Sequence, residues 1–365
     1  MPTNADVLNF AQSKLIPKWT EQFYQHHPVL DKVVLKGNIE RSKLGGPYVE
    51  FPVVTNGPGA VTRIETGSEV YSSTRRTVAT RGKVYCPRMI YSYIIPGKDL
   101  SEATGETAIA RLLKVYPEAA LMEFHEYIVE QFVNGNSANN VEGFLTLNGN
   151  TTYNTGGSST LTEDGALDFA APTSQAGVVF GMNKASVTGW QNQYQQVSSF
   201  ATDGRSKMRR VYWDASLQGK QGGPVDCMIG DIISFNNYYD DLDDQIRYQI
   251  KHDGEKGKAV RQGLMFQEAE FYVEPALDTS LAAFAAGGGG NDVQNQGAIY
   301  FLKSDSWHLY TMGEDTGMET KGDFALRGPT KVPGQDAWEW EIVLAMQLYC
   351  DRLNANGSVS GTAIL

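Results

Sequence analysis

Residues Trp338 to Gly357, WEWEIVLAMQLYCDRLNANG, make one long apolar alternation closed at once by turn-forming residues. Trp338, Trp340, Ile342, Leu344, Met346, Leu348 and Cys350 share one parity, while Glu339, Glu341, Gln347 and Tyr349 fall on the other. A period of two predicts a β-strand with one buried face and one wet or half-covered face. Its thirteen residues exceed the usual strand length of about 5 to 6. Such a strand is expected to cross a whole sheet.

The 365 residues suggest roughly two domains, each able to bury a core. Cys86, Cys227 and Cys350 are odd in number and far apart, which excludes CxxC metal or redox pairs and argues for free thiols in a reducing compartment. Met1 to Gln12 has no basic region followed by an apolar run, and no segment approaches the roughly 18 uncharged apolar residues of a membrane span. The expectation is therefore no classical signal and no membrane. A net charge of −11 opposes nucleic-acid binding if evenly spread, so a sequence-reading DNA binder is not expected. The charge is uneven. Arg63, Arg75, Arg76, Arg81, Lys83 and Arg88 face only Glu65 and Glu69 between Val61 and Tyr93. A basic arm on an acidic body suggests self-association; a solvated charged hairpin is the plain alternative.

Along the chain, Asp6 to Trp19 carries a short amphipathic pattern ended by Pro17, an arm expected to dock elsewhere. From Tyr48 to Tyr93 the period is two, broken at Asn56-Gly57-Pro58-Gly59, Gly67 and Gly82-Lys83, which predicts a long hairpin. Pro52 and Pro87 push its segments toward edges or bulges. A two-stranded ribbon is marginal alone, so it must lie on another surface. Gly105 to Asn134 is strongly helical, with Pro117 expected at the first position of a second helix. Leu121, Phe124, Ile128 and Phe132 form its apolar stripe, widened by Met122, His125 and Val129. A polar loop follows Thr146. Then come a helix around Arg205 to Leu217, a buried strand at Val225 to Ile229, a helix from Asp231 to about Tyr248, and strands at Leu264 to Val273 and Ala298 to Leu302. This half reads as mixed α+β, with Gly287 to Gly290 at a loop tip.

No motif nominates catalysis. His125-Glu126 begins like a zinc-protease helix, but Val129 stands where the second histidine belongs. The Gly254 to Lys258 and Gly287 to Gly290 segments match neither a P-loop nor a dinucleotide fingerprint. Asp240, Asp241, Asp243 and Asp244 lack the glycine and glutamate of a calcium loop and read as a solvated helix face. There is no GxSxG elbow, and two of the five histidines are the adjacent His26-His27. The expectation is no enzyme, no cofactor and no metal.

Five segments, in this order, resemble the tailed-phage major capsid proteins of the Hong Kong ninety-seven type, a fold shared with encapsulin shells. They are LIPKWTEQFYQHHPVLDKV, VEGFLTLNGN, GPVDCMIGDIISFNNYYDDLDDQIRY, GAIYFLKSDSWHLYTM and KVPGQDAWEWEIVLAMQLYCDRLNANGSVSG. The resemblance implies an α+β fold: N-terminal arm (1–47), extended E-loop hairpin (48–100), peripheral (P) domain with its spine helix (101–145), axial (A) domain (146–332), and P-domain long strand and tail (333–365). It implies a coat protein that self-assembles, through hexameric and pentameric capsomers, into the icosahedral head shell around double-stranded DNA. The six basic hairpin residues become candidate inter-subunit contacts. A hairpin without a core gains stability by lying across a neighbour's acidic surface.

The resemblance further implies a virion location after assembly in the host cytoplasm, a separate scaffolding protein, a portal, and possible decoration proteins. The arm begins close to Met1, so no fused scaffold is expected. Packaged DNA would be touched weakly and without sequence specificity, with an acidic lining that lets it slide. Some relatives cross-link a hairpin lysine to an asparagine; Lys83 and Asn354 or Asn356 are the conceivable positions here. The rivals are an encapsulin-type shell enclosing enzyme cargo and, from another class, a β-rich enzyme or carbohydrate-binding module.

Overall fold

The computed structural model describes residues 39–41, 48–54, 79–102, 106–134, 141, 143–147, 178–183, 187, 190, 192–218, 223–243, 264–274, 277, 297–311 and 325–362. The expected arm helix, the hairpin tip with Arg63, Arg75 and Arg76, the polar loop after Asn148, Asp244 and the Gly254 and Gly287 segments lie outside these residues. The described chain begins with β1 (Ile39–Arg41), β2 (Tyr48–Val54), β3 (Ala79–Tyr85) and β4 (Arg88–Pro96). Helices α1 (Gly97–Glu102) and α2 (Glu106–Asn134) follow, then β5 (Val178–Val179), β6 (Met182–Asn183) and β7 (Gln193–Gln196). Next come α3 (Arg205–Gln218), β8 (Cys227–Gly230), α4 (Ile232–Asp243), β9 (Leu264–Phe266) and β10 (Ala269–Val273). The chain closes with β11 (Ala298–Leu302), β12 (Trp307–Thr311), β13 (Ala325–Lys331), β14 (Ala337–Cys350) and β15 (Gly357–Ser360).

Two units emerge, each built from several stretches. The first comprises residues 1–47, 85–143 and 308–348; the second comprises 48–84, 144–307 and 349–365.

In the first unit β14 is the axis of a sheet ordered β1-β12-β14-β13, with β4 also on β14. Strand β4 runs antiparallel to it from Ala337↔Pro96 to Ala345↔Arg88. The sequence reading gave residues 88–93 to the hairpin, but their hydrogen-bond partner is β14, and the ribbon proper is β2 with β3. Strand β13 pairs antiparallel with β14 and slips register between Arg327 and Thr330. That interval holds Gly328-Pro329, and a proline that cannot donate to a ladder is accommodated at such a bulge. Trp340 is fully buried, its ring stacked 5.8 Å from that of Tyr93. The expected wet face of β14 stops at Glu341. Every residue from Ile342 to Cys350 is buried, Gln347 and Tyr349 included, so both faces of this half are covered.

Pro117 does not open a new helix. Helix α2 runs unbroken through it for 29 residues, about 43 Å at 1.5 Å per residue. Proline in a helix interior removes one hydrogen bond at a cost of roughly 3 kcal/mol, so packing of the long apolar stripe outweighs the local preference. Phe124, Ile128, Val129, Phe132 and Val133 are buried, with His125 beside them. Met122, expected in the stripe, is instead exposed.

In the second unit a six-stranded mixed sheet has the order β7-β15-β11-β8-β10-β9. Helices α3 and α4 cover one face, through a cluster that joins Met208, Val211 and Tyr212 to Met228, Phe271 and Phe301. Gly357 is the contact point for α3, since a Cβ there would lie 2.5 Å from Val211 Cγ1. On the other face, Phe144 meets Tyr300 at 6.2 Å and Trp307 edge-on at 4.8 Å, and Phe180 meets Trp307 and Trp190. The expected single strand from Leu264 to Val273 is a hairpin, β9 with β10, turned at Gln267 with φ 55°. Strand β11 has the bounds expected of it.

Candidate assembly surface

The ribbon of β2 and β3 shows why alternation matters. Val49, Phe51 and Val53 are buried from one strand and Gly82 and Val84 from the other, while Tyr48, Glu50, Arg81 and Lys83 are exposed. The Phe51 ring stacks on Tyr349 at 4.5 Å, and a Cβ on Gly82 would come within 2.4 Å of that ring. Glycine here is a demand of packing. Behind Lys83 lies the tight turn of β5 and β6, where Phe180 and Gly181 have φ 51° and 73°. A Cβ on Gly181 would lie 2.1 Å from the Lys83 carbonyl oxygen. Left-handed backbone at both central residues suits a two-residue hairpin turn. Replacing Gly82 by alanine is expected to displace Phe51 from Tyr349 and cost about 1 to 3 kcal/mol. Urea unfolding followed by tryptophan fluorescence would read it, and an unchanged midpoint would refute the packing role.

On the exposed face, Arg81 Nη1 lies 3.5 Å from Glu50 Oε2, with both side chains more than half exposed. Lys83 Nζ sits 4.2 Å from the centre of the Tyr48 ring. An exposed pair of this kind holds roughly 0 to 1 kcal/mol, so another partner can replace Glu50 at little cost. The ribbon therefore presents Arg81 and Lys83 together on one face of one strand. Arg88 belongs to β4 and the first unit, where it lines a cavity of about 510 Å³ with Ile90, Tyr91, Glu123 and Tyr127. The Tyr91 hydroxyl donates to Glu123 across that cavity. Sequence reasoning missed the cavity, because its walls come from a strand and a helix some thirty residues apart.

Of the conceivable cross-linking positions, Asn356 is unsuited. Its side chain is fully buried. Its Oδ1 accepts from the Lys303 backbone N–H at 2.8 Å and Trp307 Nε1 at 2.9 Å. Its Nδ2 donates to Ser306 Oγ at 3.0 Å and the Arg352 carbonyl at 2.9 Å. An amide so enclosed is a structural hub. Asn354 is half-buried.

Among the described residues no group of three or more His, Cys, Asp or Glu is placed to hold a metal ion, and no helix is long and apolar enough to cross a membrane. All three thiols are free and buried. Burial pushes the Cys86 thiol up to about 12, and raises Cys350 as well. Tyr194 and Tyr238 are likewise pushed up to about 12, chiefly by burial. These acids ionise later in the folded chain than in the unfolded one. Their stabilisation is full below the unfolded values, 9.0 for the thiol and 10.0 for the phenols, and is lost as pH rises toward about 12. Stability, and with it the melting temperature, is thus expected to fall steadily above about pH 9, the unfolding free energy by roughly 1.4 kcal/mol per pH unit for each group ionised only when unfolded. Melts across pH 8 to 12 check this; a flat profile would contradict it.

No family model and no curated protein matches the chain. Solved structures do. The capsid asymmetric unit of cyanophage A-1(L) aligns over 89% of this chain and 90% of its own, with TM-score 0.56 and 11% identity. The capsid of the native GTA particle aligns over 91% and 89%, with TM-score 0.51 and 8% identity. The holo-SrpI encapsulin complex from Synechococcus elongatus PCC 7942 aligns over 89% and 84% at TM-score 0.46 and 8% identity, too weakly to bear on the fold. Agreement that spans nearly the whole of this chain and of each neighbour is agreement of fold: this chain has the α+β fold of the cyanophage and GTA capsid chains.

Proposed function

We propose that this protein is the major capsid protein of a tailed phage, assembling into the icosahedral head shell that encloses double-stranded DNA. The observation that carries this is the end-to-end match to the cyanophage capsid chain, about nine-tenths of both chains. The ribbon gives it a physical basis: it buries one face within its own unit and offers Arg81 and Lys83 on the other. On this reading Arg63, Arg75, Arg76, Arg81, Lys83 and Arg88 contact a neighbouring subunit. The β2–β3 ribbon is then the E-loop segment, and the first unit, built around α2 and β14, is the peripheral domain. The six-stranded sheet of the second unit, with α3 and α4, is the axial domain. Many weak contacts repeated in a closed symmetric shell make a container more stable than any one interface. The protein would reside in the virion after assembly in the host cytoplasm, with separate scaffolding and portal proteins and weak, sequence-independent contact with DNA.

The test is negative-stain electron microscopy with light scattering on the chain expressed alone and with its genomic neighbours. Closed shells, tubes or capsomer rings are expected. A strictly monomeric chain of 40.1 kDa under all those conditions would overturn the proposal. Protein cargo in place of nucleic acid inside the particles would assign the shell to the encapsulin kind.

A further inference from the structure

Helices α3 and α4 share one face of the second unit's sheet and carry opposite charge. Helix α3, RSKMRRVYWDASLQ, has Arg205, Lys207, Arg209 and Arg210 against Asp214 alone; α4, IISFNNYYDDLD, has Asp240, Asp241 and Asp243 and no cation. The two lie side by side. Tyr212 and Tyr238 both pack on Phe266, at 5.9 and 5.8 Å, and Arg205 Nε meets Asp241 Oδ2 at 3.0 Å. Within one chain, then, the basic start of α3 already pairs with the acidic end of α4.

The outward faces repeat that complementarity. On α3 the exposed residues Arg209, Trp213 and Leu217 follow one another at helical spacing, with Trp213 50% and Leu217 67% exposed. On α4 the exposed residues are Ile232, Ile233, Asn236, Tyr239 and Asp240. Asp214 on α3 is taken up by Arg210 at 3.7 Å, so each face joins large apolar side chains to a net charge of one sign, basic on α3 and acidic on α4, and aromatic and arginine anchors are what buried interface centres favour. We infer that the basic apolar face of α3 docks on the acidic apolar face of α4 in a second copy of this chain. Trp213 and Leu217 then lie against Ile233 and Tyr239, and Arg209 faces Asp240. A different partner would have no reason to match both signs at once. The inference rests on the shell reading and adds to it a contact remote in sequence from the basic hairpin.

Charge reversal in separate chains tests it. Arg209→Glu and Asp240→Arg are made singly, and assembly is measured by light scattering and electron microscopy, with circular dichroism and melting to confirm folding. Each variant alone is expected to fall to about one tenth of wild-type particle yield, from repulsion at the repeated contact. An equal mixture of the two is expected to recover at least about half, because the glutamate introduced on α3 of one chain then faces the arginine introduced on α4 of the other. Repair within one chain cannot produce that recovery. Full assembly of both single variants, or a mixture no better than its components, would overturn the inference and leave the shell reading standing. A wild-type chain that never assembles would overturn both.

Discussion

Replacing Asn356 by alanine is expected to destabilise the protein by about 2 to 6 kcal/mol, a large part of the whole stability of a protein of ordinary marginal stability, with a matching loss of soluble folded chain. The amide joins the backbone N–H of Lys303, the indole of Trp307, the hydroxyl of Ser306 and the carbonyl of Arg352. Ser306 retains its bond to the Lys303 carbonyl at 2.7 Å and the Arg352 carbonyl still accepts from the Ala355 N–H at 3.2 Å, but the Lys303 N–H and the Trp307 indole lose this partner. Each buried group left unpaired costs about 1 to 3 kcal/mol. Aspartate keeps the acceptor but sets an oxygen against the Arg352 carbonyl and buries a charge, so Asn356→Asp is expected to fail as well. Denaturant unfolding monitored by tryptophan fluorescence, together with soluble yield, gives the answer. An alanine variant within about 1 kcal/mol of wild type would show that water or rearrangement replaces the amide.

Nothing in the sequence nominates Asn356 as a buried hydrogen-bonding hub. In NANG it reads as a turn residue, and the partners that make it a hub come from the starts and ends of three different strands. Periodicity reveals what a single element does with its own two faces, and there the sequence was legible: β11 is bounded as AIYFL predicts, and the β2 and β3 ribbon alternates as expected. It fails where another layer decides. Gln347 looks wet because it is polar and opposite in parity to Leu348, yet it is fully buried on a strand covered on both faces. Pro117 looks like a boundary, yet the stripe from Ala120 to Val133 holds one helix through it. The pairing of β4 with β14 needed the knowledge that a long strand has partners on both sides. The basic segment was legible as a charge anomaly; its split between a ribbon carrying Arg81 and Lys83 and a sheet strand carrying Arg88 was not.

That split directs the second large effect. The paired change Arg81→Glu with Lys83→Glu is expected to raise the protein concentration needed for shell assembly by at least about 100-fold, while the melting temperature of the unassembled chain stays nearly constant. Among the described residues these groups make an exposed pair with Glu50 and a contact over the Tyr48 ring. Interactions of that exposure are worth roughly 1 kcal/mol or less. Across a subunit boundary the same charges would be desolvated against an acidic neighbour, and reversing two of them costs about 3 kcal/mol or more per subunit. Each 1.4 kcal/mol is a factor of ten in an association constant, and every subunit of a closed shell suffers the loss. The split between the two readouts is the diagnostic part. A fall in melting temperature matching the loss of assembly would make Arg81 and Lys83 stabilisers of the fold. Assembly at the wild-type threshold would remove the exposed face of the ribbon from the subunit interface.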